Sequence, residues 1–320
     1  MQKRDVVKKA IAHRETDEIP YCIQFSKEAA ELIRPFFPGG DLDLAIGNYI
    51  YWFNPPWWDW VNLPPAYAGY DAPGCFPQTK GCGSYEAFYG RCRHIRETTD
   101  CYVLINIDAT HFEKAYFARG IDNCLADFIA NPQFAKDFFD KIIQKNMTML
   151  ENIVSCPDID GVMLGSDWGS QKSLFMSPDI WREFIKPGEL REYRLLKESG
   201  KDVWIHSCGN IRDIIPDLAE MGVDVLNPLQ PECMDIFEIK RSYGDRIAFW
   251  GGISTQQTLP YGSPEDVRRE TEKVMRGMGR GGGYIAAPSQ EIQDDVPVQN
   301  VLAMLSEFGN KIVAQDSMKI

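Results

Sequence analysis

The chain has 320 residues, 44% of them hydrophobic and 25% charged, and a formal net charge of -12. That balance excludes a disordered or fibrous chain, and the absence of any Lys/Arg-rich block argues against nucleic acid and anionic membrane as partners. The opening MQKRDVVKKAIAHRE is too charged for a signal-peptide core, and no apolar run is long enough to span a bilayer, so the sequence reads as cytoplasmic. Its nine cysteines form no CxxC pair and read as buried thiols.

In chain order, an opening helix leads to IPYCIQF (19–25), read as a first strand. The stretch NYIYWFNPPWWDWVNLPPAYAGY (48–70), crowded with aromatics and prolines, fits neither helix nor strand period. Residues 38–95 are therefore expected to be an irregular excursion, with YIYWF as a short strand inside it. Trp52, Trp57, Trp58 and Trp60 have two readings there, packing around a barrel end or a wall for a flat substrate. From residue 100 one pattern repeats: a short apolar run, a few polar or glycine residues, then an amphipathic helix. The runs are CYVLINID (101–108), GVMLGSD (161–167), VWIHSCG (203–209), VDVLNPLQ (223–230), RIAFWGGIS (246–254) and GYIAAPS (283–289). Near-continuous apolar runs suit strands buried on both faces, as in a parallel sheet.

Asn131-Pro132, Ser177-Pro178 and Ser263-Pro264 each read as an N-cap followed by proline in the first turn. After the first pair, Phe134, Phe138, Ile142, Met149 and Ile153 share a helix face; after Asn210, Ile211, Ile214, Ile215, Leu218 and Met221 do, and Gly222 supplies the stop. A dinucleotide fold needs its glycines after a strand, but GRGGGYIAA places them before one. The expected fold class is therefore α/β, one (β/α)8 TIM-barrel domain over 1–320 with an N-terminal helical and irregular excursion. All strand ends then meet at one mouth.

Within VWIHSCG, alternate residues point the same way, so Trp204, His206 and Cys208 share a face. Two residues along a strand separate Cα atoms by roughly 6.6 Å, whereas a tetrahedral zinc needs ligand atoms about 3.5 Å apart. The long imidazole can close that gap, which makes His206 and Cys208 a candidate metal pair; a satisfied histidine beside a buried thiol and a Cys-His nucleophilic dyad are the other readings. Asp108, Asp167, Gln171, Asn227, Gln230, Glu232, Gln290 and Glu291 lie at or beyond other strand ends. Each alone reads as a cap or turn residue; together they form a polar rim. Cys75, Cys82, Cys92 and Cys101 match no iron–sulfur or zinc spacing.

The blocks HSCGNI, NPLQPECMD, GDRIAFWGGISTQQTLPYGSPEDV and GGGYIAAPSQEIQDDVPVQN together resemble the uroporphyrinogen decarboxylase superfamily. So do RDVVKKAIAHRETDEIPY, FARGIDNCLADFIANPQF and SDWGSQKSLFMSPDIWREFIKP. The resemblance implies a single TIM barrel. Members that decarboxylate carry an arginine-rich RQAGR element after the first strand to hold a polycarboxylated tetrapyrrole. IPYCIQFSKEAAELI stands here without it, which disfavours that activity. The other branch is similar to corrinoid (cobalamin)-dependent methyltransferases, whose thiol-methylating members bind zinc through His-x-Cys and a later cysteine. His206 and Cys208 match the first two ligands, but Gln290 stands near the third, leaving Asp167, Glu291 or Cys233 as substitutes, or the site without zinc. The resemblance thus implies methyl transfer between a small methylated substrate, such as a methoxylated aromatic undergoing O-demethylation, and the cobalt of a separate corrinoid protein. Zinc on His206 and Cys208, or an acid at Asp167 or Glu291, would help the leaving group depart. Gln24, Gln171, Asn227, Gln230, Trp250 and Gln290 are expected at the substrate. Methyl transfer from a methylcorrinoid to a thiol, tetrapyrrole decarboxylation, and a non-catalytic corrinoid- or ligand-binding barrel are the alternatives.

Overall fold

Seven of the apolar runs form strands: β1 (Ile50–Phe53), β2 (Tyr102–Ile107), β3 (Gly161–Gly165), β4 (Asp202–His206), β5 (Val225–Leu229), β6 (Ala248–Ile253) and β7 (Tyr284–Pro288). The computed structural model describes residues 1–55 and 85–310. They group into two compact units. The first comprises Met1–Tyr51, Asp100–Tyr102 and Val225–Ile320; the second comprises Trp52–Thr99 and Val103–Asp224. In the second unit β2, β3 and β4 pair in parallel and in chain order, and in the first unit β5, β6 and β7 do the same. Parallel strands following one another in chain order, with helices between them, are the α/β barrel class expected from the sequence.

In the second unit β2 and β3 are buried along their whole length, and Val203, Trp204 and Ile205 are buried in β4. The helix Pro132–Val154 turns Phe138, Ile142, Met149 and Ile153 inward as its period predicts, while Phe134 is only half-buried and stacks on Phe138. Asn131 does not cap this helix with its side chain; its amide turns back to Asp127 at 2.8 Å. Ser177 caps as expected, and in the first unit Ser263 forms a full capping box with Asp266. Gly222 ends the helix Ile215–Met221 in the left-handed region.

Two expectations shift. The segment 19–25 is extended, but on one side it makes isolated bridges rather than a ladder, Tyr21 to Ala286 in β7 and Phe25 to Ile292 beyond β7. On its other side Tyr49 N donates to Tyr21 O, and the buried Asn48 amide bonds both the N–H and the C=O of Ile23 at 2.9 Å. A side chain replaces part of the backbone ladder, so the run fills a strand position without being a regular strand. The stretch 38–95, expected to be irregular apart from the YIYWF strand that β1 provides, also contains the short helix Leu42–Ala45 and the helix Tyr85–Thr98. That last helix buries Phe88, Cys92 and Ile95, spaced four and three apart as one helix face requires. Trp57, Trp58, Trp60, Cys75 and Cys82 lie outside the described residues, while Cys92 and Cys101 are buried and in no disulfide.

Candidate metal centre

The second unit carries the ends of β3 and β4 side by side. β3 stops at Gly165, and Ser166 N continues the pairing by donating to His206 O at 2.9 Å. The loops beyond then press together. A Cβ on Gly169 would stand 2.6 Å from Cys208 O, and one on Gly209, whose φ is +83°, would stand 2.5 Å from the Gly169 carbonyl carbon. Only glycine fits either position. This contact brings Asp167 against Cys208: Cys208 N donates to Asp167 Oδ1 at 2.8 Å, and Trp168 N donates to Ser207 Oγ at 3.0 Å.

Cys208 Sγ lies 3.4 Å from His206 Nε2, as the shared strand face predicts. Asp167 Oδ1 lies 3.8 Å from the same nitrogen. One ligand atom from each of Asp167, His206 and Cys208 falls within 4.8 Å of the others, and no other group of three such residues does so among the described residues. A tetrahedral zinc with bonds near 2.0 Å to N or O and 2.3 Å to S sets its ligand atoms about 3.3–3.6 Å apart. The triad therefore fits the ion with little movement. Its carboxylate is already oriented by a backbone N–H, the kind of outer support that fixes metal ligands. Each of the three is half-buried, and a zinc held by three protein ligands leaves its fourth position to water or substrate.

A second pair of groups reaches this centre from the helix Phe112–Arg119. Its start is pinned to β3: Phe112 N donates to Ser166 Oγ at 3.0 Å and Thr110 N to Gly165 O at 2.7 Å. Glu113 then accepts the Asp167 backbone N–H, and Tyr116 donates to Glu113 Oε1 at 3.2 Å. Burial pushes the Glu113 carboxyl up to about 7, the neighbouring Asp167 charge adds to the rise, and His206 and Tyr116 oppose it. Burial, then the charges of Glu113 and Asp167, raises the Tyr116 phenol as well. Neither residue was expected from the sequence. HFEKAY offers two polar residues three apart on a helix, a spacing that any solvated helix face also shows.

At the ends of β1 and β2, Asn54 Nδ2 and Asn106 Nδ2 each donate to Asp108 at 2.7 Å, so this rim residue is part of an amide–carboxylate cluster. Gln171, also in the second unit, is exposed in the loop after β3. The remaining expected residues belong to the first unit. Trp250 is 2% exposed and gives its indole N–H to Cys22 O, Asn227 donates to Trp250 O, and Gln230 accepts from the Cys233 thiol. Gln24 and Gln290 are half-buried, and Glu291 is exposed and accepts from Gln293.

Residues 112–310, more than half of the chain, match the Uroporphyrinogen decarboxylase (URO-D) family. The chain belongs to the URO-D family. Methylcobamide:CoM methyltransferase MtaA of Methanosarcina barkeri is 28% identical over 131 residues, 41% of this chain and 36% of that protein. A uroporphyrinogen decarboxylase of Chlorobium limicola is 27% identical over 153 residues, 47% of this chain and 41% of that protein. The matched part of this URO-D chain thus spans less than half the length of either relative. Among solved structures, a methyltransferase from Methanosarcina mazei aligns with a TM-score of 0.74 at 16% identity, covering 97% of this chain and 98% of that one. That likeness is one of fold, and it covers nearly all of this URO-D chain.

Proposed function

We propose that this protein is a corrinoid-dependent methyltransferase acting from one TIM-barrel domain. It would move a methyl group from a small methylated substrate, such as a methoxylated aromatic, to the Co(I) of a separate corrinoid protein. The observation that carries the reading is the convergence of Asp167, His206 and Cys208. Zinc held by these three would supply Lewis acidity toward the heteroatom that carries the methyl group.

The reaction balances as ether plus Co(I) plus a proton, giving alcohol plus methyl-Co(III). Cobalt is the nucleophile, so the protein needs no base; the difficulty is the poor leaving oxygen. Glu113 and Tyr116 face the same centre and would orient that oxygen by hydrogen bonds. Asp167 is assigned to the metal set rather than to proton delivery, because its carboxylate is fixed by Cys208 N and sits beside His206 Nε2. Gln24, Gln171, Asn227, Gln230, Trp250 and Gln290 are proposed to orient the substrate, with Glu291 as a further acid.

The similarity to a methylcobamide:CoM methyltransferase favours a second reading, methyl transfer from a methylcorrinoid to a thiol at the same centre. One experiment tests both. The zinc-loaded protein is mixed with a Co(I) corrinoid protein and a panel of methoxylated aromatics, methylamines and methyl thioethers, and separately with methyl-Co(III) corrinoid and thiols. Growth or loss of the methyl-Co(III) absorbance reports the direction. No change with any member, in either direction, would sink the assignment.

A further inference from the structure

Behind the helix that presents Glu113 and Tyr116 lies a set of charged groups the proposed reaction does not use. Lys114 is the next residue after Glu113 and points the other way, to a position 1% exposed. Its Nζ donates to Asn146 Oδ1 at 2.9 Å, and Asn146 Nδ2 in turn donates to Glu192 Oε1 at 2.6 Å and to Thr110 O. One turn away His111 Nδ1 contacts Glu189 Oε1 at 3.0 Å, with both side chains fully buried. The helix Lys186–Glu198, which supplies both glutamates, comes so close that a Cβ on Gly188 would stand 2.8 Å from the His111 ring. Two arms thus tie residues 110–114 to two helices on the side away from the metal centre.

Stability alone does not account for this arrangement. Burial pushes the Lys114 ammonium down and the Glu192 carboxyl up, so the charged forms are disfavoured there. Glu192 keeps one oxygen without a hydrogen-bond partner. Replacing a buried ion pair by well-packed apolar side chains of similar volume is often neutral or stabilising. What polar groups add is direction: Asn146 accepts from one helix and donates to another, which fixes register in a way that methyl groups do not.

We infer that Lys114, Asn146 and Glu192, together with His111 and Glu189, are positioning residues that set where Glu113 and Tyr116 stand over the Asp167–His206–Cys208 centre. The inference rests on the proposed function for its catalytic meaning, but its geometry is testable without it. Lys114→Met/Glu192→Gln removes both titratable groups together, so neither is left buried without the other. Glu189→Gln tests the other arm independently.

The first readout needs neither metal nor methyl transfer. It is the rate at which iodoacetamide alkylates Cys208 in metal-free protein, followed by mass spectrometry of the Cys208 peptide. Glu113 accepts the Asp167 backbone N–H and Asp167 accepts the Cys208 N–H, so a displaced helix shifts the loop that carries Cys208 and changes that rate several-fold in variants whose far-UV circular dichroism is unchanged. The second readout is methyl transfer, where a misplacement near 1 Å lowers kcat by up to about 100-fold while KM and zinc stoichiometry hold. Folded variants with wild-type alkylation and wild-type kcat would overturn the inference; they would show packing and nothing more. If the wild type itself transfers no methyl group, the proposed function fails, and the alkylation comparison still decides whether the network places the helix.

Discussion

Asp167→Asn separates charge from shape at the metal centre. The asparagine oxygen can still accept the Cys208 N–H that the carboxylate accepts at 2.8 Å, so the glycine-packed loops after β3 and β4 keep their positions. What is lost is one anionic ligand. Complete four-ligand zinc sites bind with about 10–16 kcal/mol at neutral pH, or about 3 kcal/mol per ligand if shared evenly. At about 1.4 kcal/mol per decade, that is roughly a 100-fold weaker site. The assay is competition for zinc against a chromophoric chelator at fixed pH, with the melting temperature of the metal-free variant as the control for folding. The expected result is a Kd raised by about two decades with an unchanged metal-free melting temperature. A variant that binds zinc within threefold of wild type would refute the placement of Asp167 in the donor set.

Other outcomes follow from the same structure. Gly209→Ala forces a side chain onto a +83° φ and against the Gly169 backbone, so it should weaken both zinc binding and the fold, the conformational part costing about 1–2 kcal/mol; wild-type values for both would contradict the loop contact. Asp160 is buried and takes Val103 N at 2.9 Å and Arg96 at 2.6 Å, so Asp160→Ala should lower stability in urea by about 3 kcal/mol or more. Burial, then the Asp41 charge, raises the Asp43 carboxyl from 3.8 to about 6. Its ionisation therefore opposes folding above that range and is absent below the unfolded value. Asp43→Asn should raise the melting temperature at pH 7.5 and leave it unchanged near pH 3.5; an equal rise at both would show another cause. Zinc uptake should release protons into weakly buffered solution, since Cys208 must bind as thiolate, and Cys208→Ser should abolish most of that release.

The strand order was legible in the alternation of near-continuous apolar runs with amphipathic helices, and the face shared by His206 and Cys208 in their spacing of two along a strand. Asp167 was legible as a strand-end residue, but its contact with Cys208 was not. That contact depends on two glycines from different loops meeting back to back, and nothing local to either loop announces the other. Glu113 and Tyr116 were missed for a similar reason. Their direction is set by the buried side of the helix, where Lys114 reaches Asn146, and a lysine in a helix ordinarily reads as solvent-facing. The segment 19–25 was read as a regular strand because its composition is strand-like; the Asn48 side chain that replaces part of its ladder lies 25 residues from Ile23. The helix Tyr85–Thr98 was hidden by the aromatic and proline-rich run before it, although Phe88, Cys92 and Ile95 carry its period.

X-ray absorption at the zinc edge of the loaded protein tests the donor set most directly. One sulfur near 2.3 Å with nitrogen or oxygen neighbours near 2.0–2.1 Å is the expected shell, and Asp167→Asn should weaken the nitrogen and oxygen component without touching the sulfur. A shell with two sulfurs, or a protein that takes up no zinc at all, would contradict a centre built from Asp167, His206 and Cys208.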